Sequence, residues 1–234
     1  MPNFLLIETA AAVCSVAIAN ENGIISIREN GEGQQHATLI TVFIDEALKE
    51  SKLNFRQTKN EHEGLSAVVV SAGPGSYTGL RIGVSAAKGI CFGLQIPLIA
   101  IDSLQSIAGG FSDEKKYTGN ICSVIDARRD EVYFGIWNKK TDALINSRSA
   151  ILNDEFLSII NSIEAPISFV GNGAEKVKIF LSNVKHQYHS QFKSSAKYLL
   201  PSAIKKFREK DFVDVAYFEP NYIKPFYFAE SKKV

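Results

Sequence analysis

The sequence lacks most features that would send a chain through a membrane, out of the cell or onto a metal. Its 234 residues include only three cysteines, Cys14, Cys91 and Cys122, far apart and without Cys-x-x-Cys spacing. An odd, scattered set argues against a disulfide framework and a zinc site, and fits a reducing cytoplasm. No apolar run is long enough to cross a bilayer. The opening Met-Pro-Asn-Phe-Leu-Leu-Ile-Glu has no basic segment ahead of its apolar stretch, so no export signal is expected. Charge is nearly balanced, 26 Lys and Arg against 25 Asp and Glu, a net +1. That leaves no global field to draw in nucleic acid or a membrane, although a local basic patch stays open. A P-loop is missing too: Gly73 is followed five positions on by Thr78, and Gly79 by Leu80 and Arg81 rather than Lys, which excludes a Walker-type NTPase. No Ser/His/Asp set suited to a peptidase stands out, and no cofactor motif is recognised.

What is present centres on residues 68–93. A β-branched run, Val68 to Val70, leads into a loop with Gly73, Pro74, Gly75 and Gly79, and then into a segment of helical spacing. Glycine-rich turns at a helix mouth can cradle an anion. They also let backbones pack closely, and the helix favours that second reading. Gly79, Gly83, Ala86, Ala87, Gly89, Ile90 and Gly93 share one broad side, with Arg81 and Lys88 opposite. Three helical glycines, Gly83, Gly89 and Gly93, each forfeit roughly 1 kcal/mol relative to alanine, so a close neighbour must compensate.

Upstream, Phe4–Thr9, Cys14–Ala19 and Ile24–Arg28 read as an antiparallel meander turning at Asn22-Gly23. Glu8 ends the first strand, either as a ligand or base or, more simply, bonded to loop amides. After a polar loop, Glu29 to Gln35, residues His36 to Ser51 read as a helix. Its apolar residues cover about two thirds of the circumference, far wider than one stripe, so something beyond the sheet must cover it. Lys52 to Gly64, with His62, reads as a polar loop.

Ile96–Ile101 is a strand, Asp102 caps a short helix, and Gly109 to Gly119 reads as a loop at a lobe boundary. Ile121–Asp126 and Glu131–Trp137 form a hairpin whose turn gathers Asp126, Arg128, Arg129, Asp130 and Glu131. This turn is equally an anion or partner contact in a groove or a self-paired charged loop. Asp154–Ile163 is helical, Ile167–Val170 a strand, and Gly171-Asn172-Gly173 a tight turn into a helix from Glu175 to Leu181. His186 and His189 read as surface residues that need further ligands to bind a metal. Ser194 to Lys210 is a helix with a basic end. The tail, rich in aromatics to Phe228, is expected to pack over the body. Strands followed by helices, twice over, predict two α/β lobes, 1–100 and 101–234.

The run Ser71-Ala-Gly-Pro-Gly-Ser-Tyr-Thr-Gly-Leu-Arg-Ile-Gly83, with Ile7-Glu-Thr9, Cys14-Ser-Val-Ala-Ile18, Asp102-Ser-Leu104, Ile125-Asp-Ala-Arg-Arg-Asp-Glu-Val-Tyr133 and Glu219-Pro-Asn-Tyr-Ile-Lys224, resembles the TsaB (YeaZ-like) family from end to end. The resemblance implies a two-lobed, actin/Hsp70-like fold related to the glycoproteases. It also implies a non-catalytic role in threonylcarbamoyladenosine synthesis on tRNA. The implied partners are a TsaD-like transferase, a TsaE-like ATPase and a second copy of the chain, with tRNA met only through the complex.

In catalytic relatives two histidines four apart on the first long helix hold a metal. Here His36 is followed at that spacing by Ile40, which leaves no recognisable metal site. The family also commonly carries Asp where Glu8 stands. On this reading the docking face comprises His36, Leu39, Ile40, Phe43 and Ala47 from the first helix, and Tyr77, Thr78, Leu80, Gly83, Ala86, Ala87 and Ile90 from the second. Glu8, Asp126, Arg128, Arg129 and Glu131 are expected at an inter-lobe groove. The competing readings are an ATP-dependent phosphotransferase or peptidase, and a direct tRNA binder.

Overall fold

The structure, a computed structural model, describes residues 1–31, 35–53, 55, 64–138, 142–181 and 185–224. Most of the loop from Lys52 to Gly64, with His62, and the aromatic tail from Pro225 onward lie outside the described residues.

The first sheet begins with the meander β1 (Asn3–Glu8), β2 (Cys14–Asn20) and β3 (Gly23–Asn30). Register pairs Asn20 with Gly23, so the two-residue turn is Glu21-Asn22 rather than Asn22-Gly23. Gly23 instead supplies the positive φ, 137°, at the start of β3. Helix α1 (His36–Ser51) follows, then β4 (Ala67–Gly73), α2 (Tyr77–Leu94) and β5 (Leu98–Asp102), giving the sheet order β3-β2-β1-β4-β5. β4 runs parallel to β1, and β5 parallel to β4. Parallel central strands need both faces covered, which is why β1 reads as an unbroken buried run. On one face Leu5, Ile7, Val68 and Val70 meet Ile40, Ile44 and Ala47 of α1 and Val84, Ala87 and Cys91 of α2.

Helix α3 (Ser103–Lys115), capped by the Asp102 carboxylate accepting from the Gln105 amide at 2.9 Å, leads to the second sheet. That sheet holds β6 (Asn120–Asp126), β7 (Glu131–Asn138), β8 (Asp142–Ile151), β9 (Ile167–Val170) and β10 (Gln187–His189), in the order β10-β9-β6-β7-β8. Helices α4 (Asp154–Asn161) and α5 (Ala174–Leu181) sit between its later strands in sequence. Phe134, Phe156, Phe169 and Val177 are at its core. A 3-10 turn, Ala196–Leu199, and α6 (Leu200–Glu209) then return to the first sheet. They cover its second face, where Leu199, Leu200 and Ala203 pack on Phe4, Leu6 and Val69. Phe4, fully buried, meets Phe207 edge-on at 5.3 Å; burying a ring of that size contributes roughly 1.5–3 kcal/mol. The two-lobed α/β architecture with two mixed sheets flanked by helices is therefore as expected.

Two further expectations are corrected. Residues 109–115 are not a loop: α3 runs through Gly109 and Gly110, because a β-carbon at 110 would lie 2.4 Å from the Tyr198 ring, and glycine admits that ring. Strands β8 and β10 carry too little apolar alternation to be foreseen. His186 is buried and His189 half-buried, rather than both lying open on the surface. His186 is 9% exposed, with its Nδ1 accepting from the Ile167 amide at 3.3 Å. The His189 ring lies 4.7 Å from that of Phe111. Burial lowers both pKa values, with Lys185 and Lys115 respectively adding to it.

Candidate partner-docking face

The segment between β1 and β2 anchors both helices of the first lobe. Glu8 Oε1 accepts from the Ala10 amide at 2.6 Å, while the Thr9 amide donates to Ser71 Oγ at 3.3 Å. From α1, His36 Nε2 lies 3.0 Å from the Ala11 carbonyl oxygen and 3.2 Å from that of Val13. Carbonyls only accept, so Nε2 carries the proton and is not free to ligate. From the loop before α2, the Ser76 amide donates to the Ala10 carbonyl at 2.7 Å.

Burial removes one residue from the expected groove. Glu8 is fully buried, and desolvation raises its pKa from 4.5 to about 7 against the lowering by the Ala10 amide and Ser71 hydroxyl. It is part of the interior and lines nothing.

The glycines around α2 divide into two kinds. A β-carbon at Gly75 would lie 2.3 Å from the Ala10 carbonyl oxygen, one at Gly79 2.2 Å from that of Thr9, and one at Gly83 2.2 Å from Thr9 Oγ1. Gly73, at φ 105°, has the Asn221 carbonyl oxygen where its side chain would go. These four seat the loop and helix on their own chain and fill the space an anion would need. Ser76 Oγ already takes the Gly79 amide. The Gly171 loop is filled likewise, by the Val124 carbonyl and side chain against Gly171 and Gly173. Gly89 and Gly93 differ: both are exposed, and among the described residues nothing lies within 4 Å of the side chain either would gain.

The twelve expected interface residues divide similarly. His36, Ile40, Ala47, Leu80, Gly83 and Ala87 are buried within the chain and support the face from beneath. Leu39, Phe43, Ala86 and Ile90 are half-buried at its surface, and Thr78 is exposed. Val42, 46% exposed, and the half-buried Ile82 extend the apolar strip; one-turn spacing puts Val42 beside Leu39, Leu39 beside Phe43, and Ile82 beside Ala86. Tyr77 is engaged elsewhere, its ring 4.8 Å from that of Tyr222 and 4.2 Å below the Arg81 guanidinium.

That contact belongs to a strap, residues 211–224, which sequence reasoning sensed only as an aromatic tail needing cover. Val213 bridges the outer edge of β5, its amide donating to the Leu98 carbonyl at 3.0 Å. Lys88 Nζ donates to the carbonyls of Ala216 at 3.1 Å and Phe218 at 2.9 Å, and Arg81 Nε to the Tyr222 hydroxyl at 3.2 Å. Two lone cations on an otherwise uncharged helix were the available signal. The strap ends with Lys224 on Glu131, at the foot of the β6–β7 turn.

In that turn Asp126 pairs with Lys176 at 2.5 Å, Glu131 with Lys224, and Arg128 and Arg129 are exposed. The four turn residues lie together at this hairpin, and Glu8 is not among them. Among the described residues no cluster of three or more His, Cys, Asp or Glu side chains is placed to hold a metal ion. With Ile40 in the core and His36 bonded to carbonyls, the residues here do not fit the metal of the catalytic relatives. Nor is any described helix long and apolar enough to cross a membrane.

This fold, with its braced helix pair, is matched by known proteins. A family model described as "TsaD: tRNA N6-adenosine threonylcarbamoyltransferase" covers residues 28–224. The chain belongs to this family, and within it to the TsaB, or YeaZ-like, proteins. The "tRNA threonylcarbamoyladenosine biosynthesis protein TsaB" of Escherichia coli (strain K12) is 26% identical over 234 residues, 94% of each chain. That of Bacillus subtilis (strain 168) is 34% identical over 125 residues, 52% of this chain and 53% of that one. The chain thus spans about half the length of the Bacillus relative and nearly all of the Escherichia one. A crystal structure described as "YeaZ from Pseudomonas aeruginosa" shares the fold with a TM-score of 0.79 at 23% identity, covering 95% of this chain and 100% of that one.

Proposed function

We propose that this chain is a non-catalytic subunit of the machinery that makes threonylcarbamoyladenosine in tRNA, and that it docks a TsaD-like transferase through the outer face of α1 and α2. The names of the relatives support the pathway. The observation that carries the docking reading is the pair Gly89 and Gly93, four apart on an exposed helix face with nothing against them among the described residues. Each costs roughly 1 kcal/mol of helix propensity. Close approach of a second helix is the physical use that offsets it, and the strip of Leu39, Val42, Phe43, Ile82, Ala86 and Ile90 supplies apolar area beside them.

On this reading the protein works in the cytoplasm, the transferase performs the chemistry, and a TsaE-like ATPase joins the pair. A second copy of the chain uses the same face when the transferase is absent. The phosphotransferase alternative finds less support, since both glycine loops are occupied by their own chain.

The test is reconstitution of the modification from purified components with and without this chain, beside the double variant Gly89→Arg/Gly93→Arg. The reading expects activity only with the chain. It also expects the variant to stay folded while losing co-elution with the transferase. Full activity without the chain, or unchanged co-elution of the variant, overturns it.

A further inference from the structure

We propose that the tip of the β6–β7 hairpin is a contact for the phosphate backbone of RNA, made by the adjacent guanidinium groups of Arg128 and Arg129. The proposal stands apart from the docking reading, because it concerns the chain by itself and the opposite lobe.

The backbone at this tip adopts a geometry that ordinary side chains avoid. Arg128 has φ 66° and Arg129 φ 49°, two consecutive left-handed residues at a hairpin tip. Asparagine and glycine occupy such positions without strain, and arginine does not. Strain of this kind persists where the surroundings impose it and where function uses it. The surroundings here are firm. The Ala127 amide donates to the Glu131 carbonyl at 3.1 Å, and the Leu152 amide to that of Asp130 at 2.8 Å. Lys176 Nζ reaches the Arg129 carbonyl at 2.7 Å, and Asn172 Oδ1 takes the Asp126 amide at 3.1 Å.

The turn's acids are committed elsewhere. Asp126 accepts the Arg128 amide at 2.6 Å and pairs with Lys176; Glu131 faces Lys224. Asp130, exposed, is the remaining acid of the turn. Among the described residues neither arginine side chain has a hydrogen-bond or ion-pair partner, and both are exposed. Arg129 also lies close enough to Lys224 for its charge to add to the partial burial that lowers that amine's pKa. The result is two consecutive exposed arginines, unpaired among the described residues, carried on a firmly held tip.

A phosphodiester backbone suits this pair of arginines better than an acidic protein surface. An exposed arginine–carboxylate pair is worth little in water. A guanidinium matches phosphate oxygens two at a time, and each contact to a polyanion releases condensed counterions. With a net charge of only +1 on the whole chain, attraction has to be local.

The test is filter binding of total tRNA by the full-length chain across a salt series, comparing wild type with Arg128→Gly/Arg129→Gly. The proposal expects the variant to bind about tenfold more weakly at low salt, and its salt slope to be smaller by about 2, one for each lost phosphate contact. It also expects the variant's thermal midpoint to be equal or higher, since glycine relieves the turn. Arg128→Asn/Arg129→Asn, which also tolerates this geometry, is expected to behave alike. Four outcomes overturn the proposal: no tRNA retention by wild type, unchanged affinity and slope in both variants, a lowered midpoint in both, or polyglutamate competing as well as tRNA at equal charge. The last points to an acidic protein instead.

Discussion

Gly83 presses against Thr9 so closely that a β-carbon on the glycine would lie 2.2 Å from the threonine hydroxyl oxygen. Six residues further along the same helix, Gly89 has open space among the described residues where Gly83 has a wall. Identical residues on α2 therefore do opposite things, and substitution separates them. Gly83→Ala is expected to destabilise by about 1–3 kcal/mol through overpacking. Gly89→Ala is expected to stabilise by about 0.5–1 kcal/mol through helix propensity. Urea denaturation of the two variants checks both signs, and a neutral Gly83→Ala removes the seat assigned to Thr9.

Glu8 makes stability depend on pH. Its folded pKa, about 7, lies above the ordinary 4.5, because burial disfavours the charged form. The folded state therefore holds a proton that the unfolded state has released. Any benefit of the neutral carboxyl is complete below pH 4.5 and is lost as pH rises through about 7, a swing of roughly 3 kcal/mol. Glu8→Gln keeps an oxygen for the Ala10 amide and cannot ionise. It is expected to exceed wild type in stability at pH 8 and to match it near pH 5, as read by thermal melts across that range.

Lys88→Met removes the donor shared by the Ala216 and Phe218 carbonyls. Since both bonds lie at or near the surface, about 1 kcal/mol of strap anchoring is the expected loss. Limited proteolysis should then cut within residues 211–224 several-fold faster than in wild type, with the core unchanged. Equal rates would mean that Arg81 and Tyr222 hold the strap unaided.

His36→Leu leaves the Ala11 and Val13 carbonyls without their N–H donor and is expected to cost about 1–3 kcal/mol. Adding zinc or ferrous iron to the wild-type chain is expected to leave its melting temperature unmoved. A rise with metal would show that this histidine can be recruited as a ligand.

Much of the first lobe was legible because local patterns there agree with the tertiary result. The bounds of α1 coincide with those read from apolar spacing, and Asp102 announces α3 as a cap. Other features were not legible, for reasons that lie in space. Gly109-Gly110 reads as a break until the Tyr198 ring is seen to need the second glycine. Glu8 reads as a strand-end acid, simplest as one bonded to loop amides, and the Ala10 amide meets that reading; that it is sealed inside rather than at a groove emerges only when the segment after it closes over. Six of twelve docking residues face inward, because a helix wide in apolar residues spends part of that width on its own sheet.

The sequence by itself determined the alternation of strands and helices, the glycine-rich turn into α2, the loss of a second histidine at Ile40, and the family. Those rest on spacing along the chain, which is local and survives without neighbours. Only the tertiary structure decided which glycines are filled and which are open, that Arg81 and Lys88 hold a strap rather than face water, and that Glu8 is sealed inside. Each depends on what lies opposite a residue, and residues such as Thr9 and Tyr222 come opposite only when distant segments are brought together.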